Sequence, residues 1–289
     1  MHRGVYFLSQ EASDRYENVR VLVRDFINAK SKNEIVITKG TTEAINLVAN
    51  SIRETMLCVD DEIIVTEMEH HANFVPWQML CEKENLTFNV AAIKDNGELD
   101  IDNLLSLVTE KTKVLAITLC SNVLGTINPV KDIIKSVRAI NPSVLVVVDG
   151  AQAVIHSKVD VQDLDSDFFV FSSHKLYGPT GVGVLHGKYE LLDKLSPFNY
   201  GGDMVDDVTI EKTTFALPPY KFEAGTPDIV GTIGFGQAIK YVEVIGMDNI
   251  SRYEKTLLDY ANKELSSIIG LRIIGQAPHK AGVITFVID

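Results

Sequence analysis

The chain has 289 residues, of which 46% are hydrophobic and nine are prolines, so it can bury a large core in one domain with part of a second. Its formal net charge of −12 and its dispersed basic residues disfavour nucleic acid and anionic membranes as partners. The apolar runs are too short to span a bilayer and residues 1–4 carry no apolar signal region, so we expect a cytoplasmic protein.

Seven short β-branched runs alternate with longer helical patterns along the chain. Apolar residues from Ile45 to Ile52 keep helical spacing, and Asn128-Pro129 is typical of an N-cap followed by the first helical position. The alternation predicts an α/β fold with a mostly parallel seven-stranded sheet flanked by helices. The predicted strands are residues 34–38, 62–66, 88–93, 113–119, 143–148, 168–171 and 181–185.

The pattern changes after Gly231 to long helical stretches, including residues 250–269, which lead into an apolar strand at 282–289. No sheet partner follows that strand. We therefore expect a large domain over residues 1–245 and the start of a smaller C-terminal α+β domain over residues 246–289.

The first polar segment follows the 34–38 strand and opens a predicted helix. Thr41 and Thr42 collect two hydroxyls and free backbone N–H groups at that helix start, which suits a phosphate group. The segment is neither GxGxxG nor a Walker loop, and a lone motif of this kind is more often only a capped helix.

The second segment, Glu69-His70-His71, follows the 62–66 strand. Adjacent histidines point in different directions and no HExxH motif or distant ligand pair completes a shell, so we expect no metal site. A neutral His70 imidazole stacked on a cofactor ring and a hydrogen-bonded structural histidine both stay open.

The third segment begins at Asp149, where an apolar strand runs straight into a carboxylate. An ionised Asp149 would keep a pyridine nitrogen above the strand protonated, and Gln152 could then donate to the phenolic oxygen of the ring. An N-cap or a magnesium-binding aspartate is the alternative interpretation.

The most specific segment is residues 171–181, FSSHKLYGPTG. Lys175 lies just past an apolar run, after hydroxyls and a histidine and before a Gly-Pro-Thr-Gly turn. A Schiff-base lysine needs a partly desolvated environment, and Ser172 and His174 could serve as phosphate donors; an exposed lysine in a strand-end turn is the alternative.

Two further loops, residues 121–126 and 222–227, are ordinary when taken alone. Most of the polar segments follow a predicted strand, however, and the carboxyl ends of parallel strands share one edge of a sheet, where ligands of α/β proteins bind. That convergence predicts one site.

These segments, in this order, resemble the class V aminotransferase family of fold-type I pyridoxal-phosphate (PLP) enzymes, and within it the cysteine desulfurase and selenocysteine lyase branch of the sulfur-mobilisation type. The resemblance runs over nearly the whole chain, from His2-Arg3-Gly4 to residues 222–227.

The resemblance implies a role for each candidate residue. Lys175 would bind PLP as a Schiff base and shuttle protons, Asp149 would pair with the pyridine nitrogen, and His70 would stack on the ring. The other implied contacts are Gln152 to the phenolic oxygen, Thr41, Thr42, Ser172 and His174 to the phosphate, Asn122 near the cofactor oxygen and the substrate carboxylate, and Thr226 to the phosphate of the other subunit of a homodimer.

The family's reaction converts L-cysteine, or L-selenocysteine, to L-alanine through a persulfide on a separate enzyme cysteine, with a sulfur-acceptor protein serving iron–sulfur cluster or related cofactor assembly. Cys58, Cys81 and Cys120 do not fall in the segment of that thiol, and we expect all three to be buried and reduced.

The chain resembles a member shortened at both ends. The family begins earlier, with a segment that carries a Leu-Asp-Asn-Ala-Ala-type turn, and its thiol and the arginine that follows it lie beyond residue 289. Two alternatives therefore stay open: another class V enzyme, such as a lyase, epimerase or aminotransferase, and a truncated PLP-binding remnant without turnover.

Overall fold

The computed structural model describes residue 4 and residues 6–289; His2, Arg3 and most of the segment inspected for a signal region lie outside the described residues. The chain divides into two compact units, each assembled from three stretches. The domain boundary predicted after residue 245 stays a prediction. The first unit is Met1–Leu57, Val159–Gln162 and Asp167–Val244, and the second is Cys58–Lys158, Asp163–Ser166 and Ile245–Asp289.

Seven strands form the main sheet, and each lies within two residues of its predicted bounds. In chain order they are β1 (Ile35–Thr38), β2 (Glu62–Thr66), β3 (Thr87–Ala91), β4 (Thr112–Thr118), β5 (Leu145–Asp149), β6 (Phe168–Ser172) and β7 (Gly183–Gly187). The order across the sheet is β1-β7-β6-β5-β4-β2-β3. β2 pairs in parallel with β3 and β4, and β4 with β5, whereas β7 runs antiparallel to β1 and β6. The predicted fold class, a mostly parallel sheet flanked by helices, is confirmed.

The first unit contains β1, β6 and β7 and the helices α1 (Phe7–Phe26), α2 (Thr41–Thr55), α8 (Tyr189–Lys194) and α9 (Ile229–Ile245). The predicted apolar stripe of α2 is buried from Ile45 to Ile52, because the helix packs on β6 and β7. Short 3-10 helices occupy Lys32–Glu34, Ser173–Leu176 and Tyr220–Phe222. A hairpin of β8 (Val205–Val208) and β9 (Thr213–Phe215) was not predicted.

The second unit contains β2 to β5 and the helices α3 (His71–Glu84), α4 (Ile101–Ser106), α5 (Val130–Ile140), α6 (Ala153–His156) and α10 (Met247–Ser266). The short helix α7 (Val161–Leu164) begins in the first unit's stretch Val159–Gln162 and ends in the second unit's stretch Asp163–Ser166. The predicted start of α5 is wrong by one residue: Pro129 is the N-cap, and Val130 donates its N–H to the carbonyl of Asn128.

The last 45 residues pack within the second unit. On α10, Glu254 lies 2.8 Å from His156 Nδ1 and Ser251 donates to the carbonyl of His156. The predicted terminal strand is shorter than 282–289; it is β11 (Thr285–Ile288), which pairs antiparallel with the preceding β10 (Leu271–Ile274). Within residues 4 and 6–289, no helix is both long and apolar enough to cross a bilayer.

Candidate active site

At the start of α2, in the first unit, Thr41 and Ser172 form a nest of polar groups. Gly40 is the N-cap and supplies no side chain, so the first N–H groups of the helix rely on other partners. The N–H of Thr41 donates to Ser172 Oγ at 2.8 Å, and the two hydroxyl oxygens lie 2.7 Å apart. Ser172 is the last residue of β6, so two candidate phosphate ligands far apart in sequence meet here. Thr42, the next residue of α2, is exposed.

The backbones of β7 and of the α2 start lie very close together beside this nest. A Cβ placed on Gly183 of β7 would lie 2.4 Å from the Cα of Gly40, closer than real side chains come. Only glycine at position 183 therefore allows β7 to pass the α2 start. The donor set, two hydroxyls and the amides of a helix N-terminus, fits a phosphate dianion.

Lys175 lies on the 3-10 helix that follows β6 directly. Ser173 and Leu176 are buried, while His174 and Lys175 between them are exposed, as the three-residue repeat of this helix requires. The turn closes at Tyr177, which has a φ of 59°, and Gly178 donates to the carbonyl of Ser173. Lys175 is therefore accessible from solvent in the single chain.

Thr226 lies on an exposed loop of the first unit that borders a cavity of about 490 Å³. The preceding Glu223 anchors the loop: its carboxylate binds Arg20 in a bidentate pair at 2.6 and 2.7 Å and accepts the N–H of Ile37 at 2.7 Å. Arg20 is 1% exposed, so this anchor is buried. Sequence reasoning missed it, because the partners lie 203 residues apart.

Asp149 is the last residue of β5 and is 4% exposed. Its Oδ1 accepts the N–H of Ala151 at 2.9 Å, and this hydrogen bond holds the carboxylate against the backbone just beyond the strand. Gln152, the N-cap of α6, and Asn122, in the loop after β4, are half-buried. The N-cap alternative for Asp149 does not hold, because the N-cap of α6 is Gln152.

His70 is the N-cap of α3. Its Nδ1 accepts the N–H of Ala72 at 3.1 Å, so the neutral ring carries its proton on Nε2. The ring is exposed. Among the described residues, no group of three or more His, Cys, Asp or Glu side chains could hold a metal ion.

Glu69, which sequence reasoning considered only as a metal ligand, binds three buried partners. Its Oε1 accepts from Thr66 Oγ1 at 2.7 Å and from the N–H of Thr118 at 2.9 Å, and its Oε2 accepts from Asn73 Nδ2 at 2.6 Å. Burial raises the pKa of this carboxyl to about 8, against the three hydrogen bonds that lower it, and the charge of Asp149 raises it further.

The cysteines differ from the expectation in one respect. All three are free thiols, and Cys81 and Cys120 are buried, but Cys58 is exposed because it lies in the turn between α2 and β2. Burial raises the pKa of Cys81 to about 11, and burial with the charge of Glu254 raises that of Cys120 to about 12. Both buried thiols are therefore poor nucleophiles at neutral pH.

The structure thus joins Thr41 with Ser172 within the first unit, and it brings Glu69 near Asp149 within the second. That nine of the predicted site residues bind one PLP, and that Thr226 reaches the PLP phosphate of the other subunit, stays a prediction.

Comparisons with known proteins point to one family. The Aminotransferase class-V model matches residues 1–289. A cysteine desulfurase of Dickeya dadantii is 50% identical over 287 residues, covering 99% of this chain and 69% of that relative. A crystal structure of the cysteine desulfurase CsdA from Escherichia coli is 37% identical with a TM-score of 0.91, and the match covers 100% of this chain and 71% of that one. An apo structure of a cysteine desulfurase from Thermococcus onnurineus is also 37% identical with a TM-score of 0.93, and the match covers 99% of this chain and 71% of that one.

Proposed function

Because the chain belongs to the class-V aminotransferase family, whose cofactor is PLP, we propose that it is a cysteine desulfurase that converts L-cysteine to L-alanine and transfers the sulfur to a cysteine thiol, which becomes a persulfide. The observation that carries the assignment is 50% identity to a cysteine desulfurase over 99% of the chain. The sulfur would serve iron–sulfur cluster or related cofactor assembly through a sulfur-acceptor protein.

The residues at hand fit the cofactor. The nest of Thr41 and Ser172 offers hydroxyl and amide donors to its phosphate. Thr42 and His174 are proposed as further phosphate donors. Lys175, three residues after Ser172, offers the amine. In the second unit, a buried carboxylate at Asp149 suits a ring nitrogen that must keep its proton. Gln152 and Asn122 are proposed to contact the ring oxygen, and His70 its face.

PLP, when bound, supplies an electron sink for the bonds at the substrate Cα. The chain's own groups would move the protons. Lys175 Nζ would act as base and acid at the substrate Cα, and Asp149 would hold the proton at the ring nitrogen. The neutral His70 can donate only from Nε2, since its Nδ1 is bound to Ala72. Asn122 would orient the substrate carboxylate.

The sulfur-accepting thiol is not assigned to any cysteine of this chain. Cys81 and Cys120 are buried with raised pKa values, and Cys58 lies in the turn before β2, outside the segment in which the resembling family keeps that thiol.

A homodimer belongs to the same proposal. Thr226 would then contact the phosphate of the second subunit, which is consistent with its exposed position and its buried anchor at Glu223. L-selenocysteine as a second substrate and a cytoplasmic location are proposed on the resemblance alone.

The test is reduction of the PLP-loaded chain with borohydride, followed by peptide mass spectrometry and by assay of alanine and sulfide formed from L-cysteine. We expect the pyridoxyl adduct on Lys175, its loss in Lys175→Ala, and its retention in the exposed control Lys30→Ala. An adduct on another lysine would refute the cofactor assignment. A correct adduct with products other than alanine and sulfide would favour a different class V reaction.

A further inference from the structure

The side-chain and backbone hydrogen bonds around Glu69 have a fixed direction, in which the neighbouring groups donate to the Glu69 carboxyl. The indole N–H of Trp77 can only donate, and it donates to Asn73 Oδ1 at 3.2 Å. Asn73 must therefore present its Nδ2 to Glu69 Oε2. On the other side, the N–H of Thr118 can only donate to Oε1. Both oxygens of Glu69 must accept, which a carboxyl group can do and an amide cannot.

The same turn of α3 that binds Glu69 also holds His70. The N–H of Asn73 donates to the carbonyl of His70 at 2.7 Å, and the N–H of Ala72 donates to its Nδ1. Glu69 is the residue before His70 and Asn73 is the third residue after it. The hydrogen bond between the Glu69 carboxyl and the Asn73 side chain thus bridges the two sides of His70. Thr66 and Thr118 tie this bridge to the carboxyl ends of β2 and β4. The ring is exposed, and the N–H of Ala72 holds its Nδ1 as an acceptor.

We propose that Glu69 is a positioning residue that holds the start of α3 so that the His70 ring keeps Nδ1 as an acceptor and Nε2 as its only donor. The proposal rests on the proposed function in that His70 faces the PLP ring. Without this hold, the first turn of α3 could rotate and free Nδ1, so that the ring could take either tautomer.

The role survives a change of protonation at Glu69. The charged group that acts on it from β5 is Asp149, which favours the protonated form. A proton on Oε1 can be donated to Thr66 Oγ1, because a hydroxyl both donates and accepts. Oε2 then still accepts from Asn73. A glutamine has no such freedom: with its oxygen toward Asn73, its NH₂ faces the N–H of Thr118.

The test uses the full chain with ¹⁵N-labelled histidine, before and after PLP is added. Long-range proton–nitrogen NMR reports which ring nitrogen carries the proton, and a His70→Asn variant assigns the signals. We expect two well-separated nitrogen signals for His70 in the parent chain. In Glu69→Gln they should move toward each other, as tautomers mix, and the visible circular dichroism of bound PLP should decrease.

Glu82→Gln is the matched control, because Glu82 is an exposed residue of the same helix. It should leave both readouts unchanged. Asn73→Ser breaks the bridge from its other end with Glu69 in place, and should reproduce the Glu69→Gln spectrum, which covers the case in which Glu69→Gln does not fold.

Parent-like His70 signals in either bridge variant would overturn the proposal. The NMR readout in the PLP-free chain is independent of the cofactor. A parent chain that fails to bind PLP at Lys175 therefore counts against the proposed function, whereas an unchanged tautomer counts against the role of Glu69.

Discussion

Replacing Arg20 with methionine tests how much the buried pair with Glu223 stabilises the fold. Methionine keeps the length and the apolar stem, but among the described residues it leaves the Glu223 carboxylate only the N–H of Ile37 and the hydroxyl of Tyr16 as partners. Arg20 is 1% exposed and also lies 5.4 Å from the centre of the Tyr16 ring. Removing one member of a buried ion pair costs about 3–5 kcal/mol.

This loss of unfolding free energy can be expressed as a decrease in the melting temperature. An unfolding entropy of about 2.1 cal/mol/K per residue gives roughly 600 cal/mol/K for 289 residues unfolding together. The loss then lowers Tm by about 5–8 °C. Thermal unfolding followed by circular dichroism measures it.

Two further variants separate the ion pair from simple truncation. Arg24→Met removes an exposed pair with Asp25, where Arg24 is 33% exposed, and should cost less than about 1 kcal/mol. Arg20→Met combined with Glu223→Gln removes the stranded charge yet keeps an oxygen for Ile37, so part of the stability should return. If Arg20→Met melts within 1 °C or so of Arg24→Met, the buried-pair reasoning is wrong.

Three other outcomes follow from the structure. Since the pKa of Glu69 is raised from 4.5 to about 8, the folded state holds the extra proton, so stability should fall as pH rises between these values, and Glu69→Gln should remove that slope in Tm measured against pH. Iodoacetamide at neutral pH should label Cys58 alone in the native chain and all three thiols in denaturant; rapid native labelling of a second cysteine would contradict the burial. Gly183→Ala should lower both Tm and PLP affinity, because its Cβ meets the Gly40 backbone, whereas Gly202→Ala, with no atom within 4 Å of its Cβ, should change neither.

The strands could be predicted because a buried strand needs a run of apolar residues, and that run is visible in the sequence. Their ends were placed less well. Asp149 and Ser172 prove to be the last residues of their strands rather than the first residues beyond them, since pairing with a neighbour decides where a strand stops. The start of α5 moved from Pro129 to Val130 for a similar reason, because helical hydrogen bonds begin only after Pro129.

The sequence by itself determined the types of chemical group in the candidate site: an amine, a carboxylate, an imidazole and hydroxyls, each in a specific motif. Tertiary structure alone decided which groups are held and by what. Thr41 meets Ser172 across 131 residues, Arg20 meets Glu223 across 203, and Glu69 meets Thr118 across 49. A polar group removed from water must find a hydrogen-bond partner, and that partner comes from whichever strand or helix the fold places beside it.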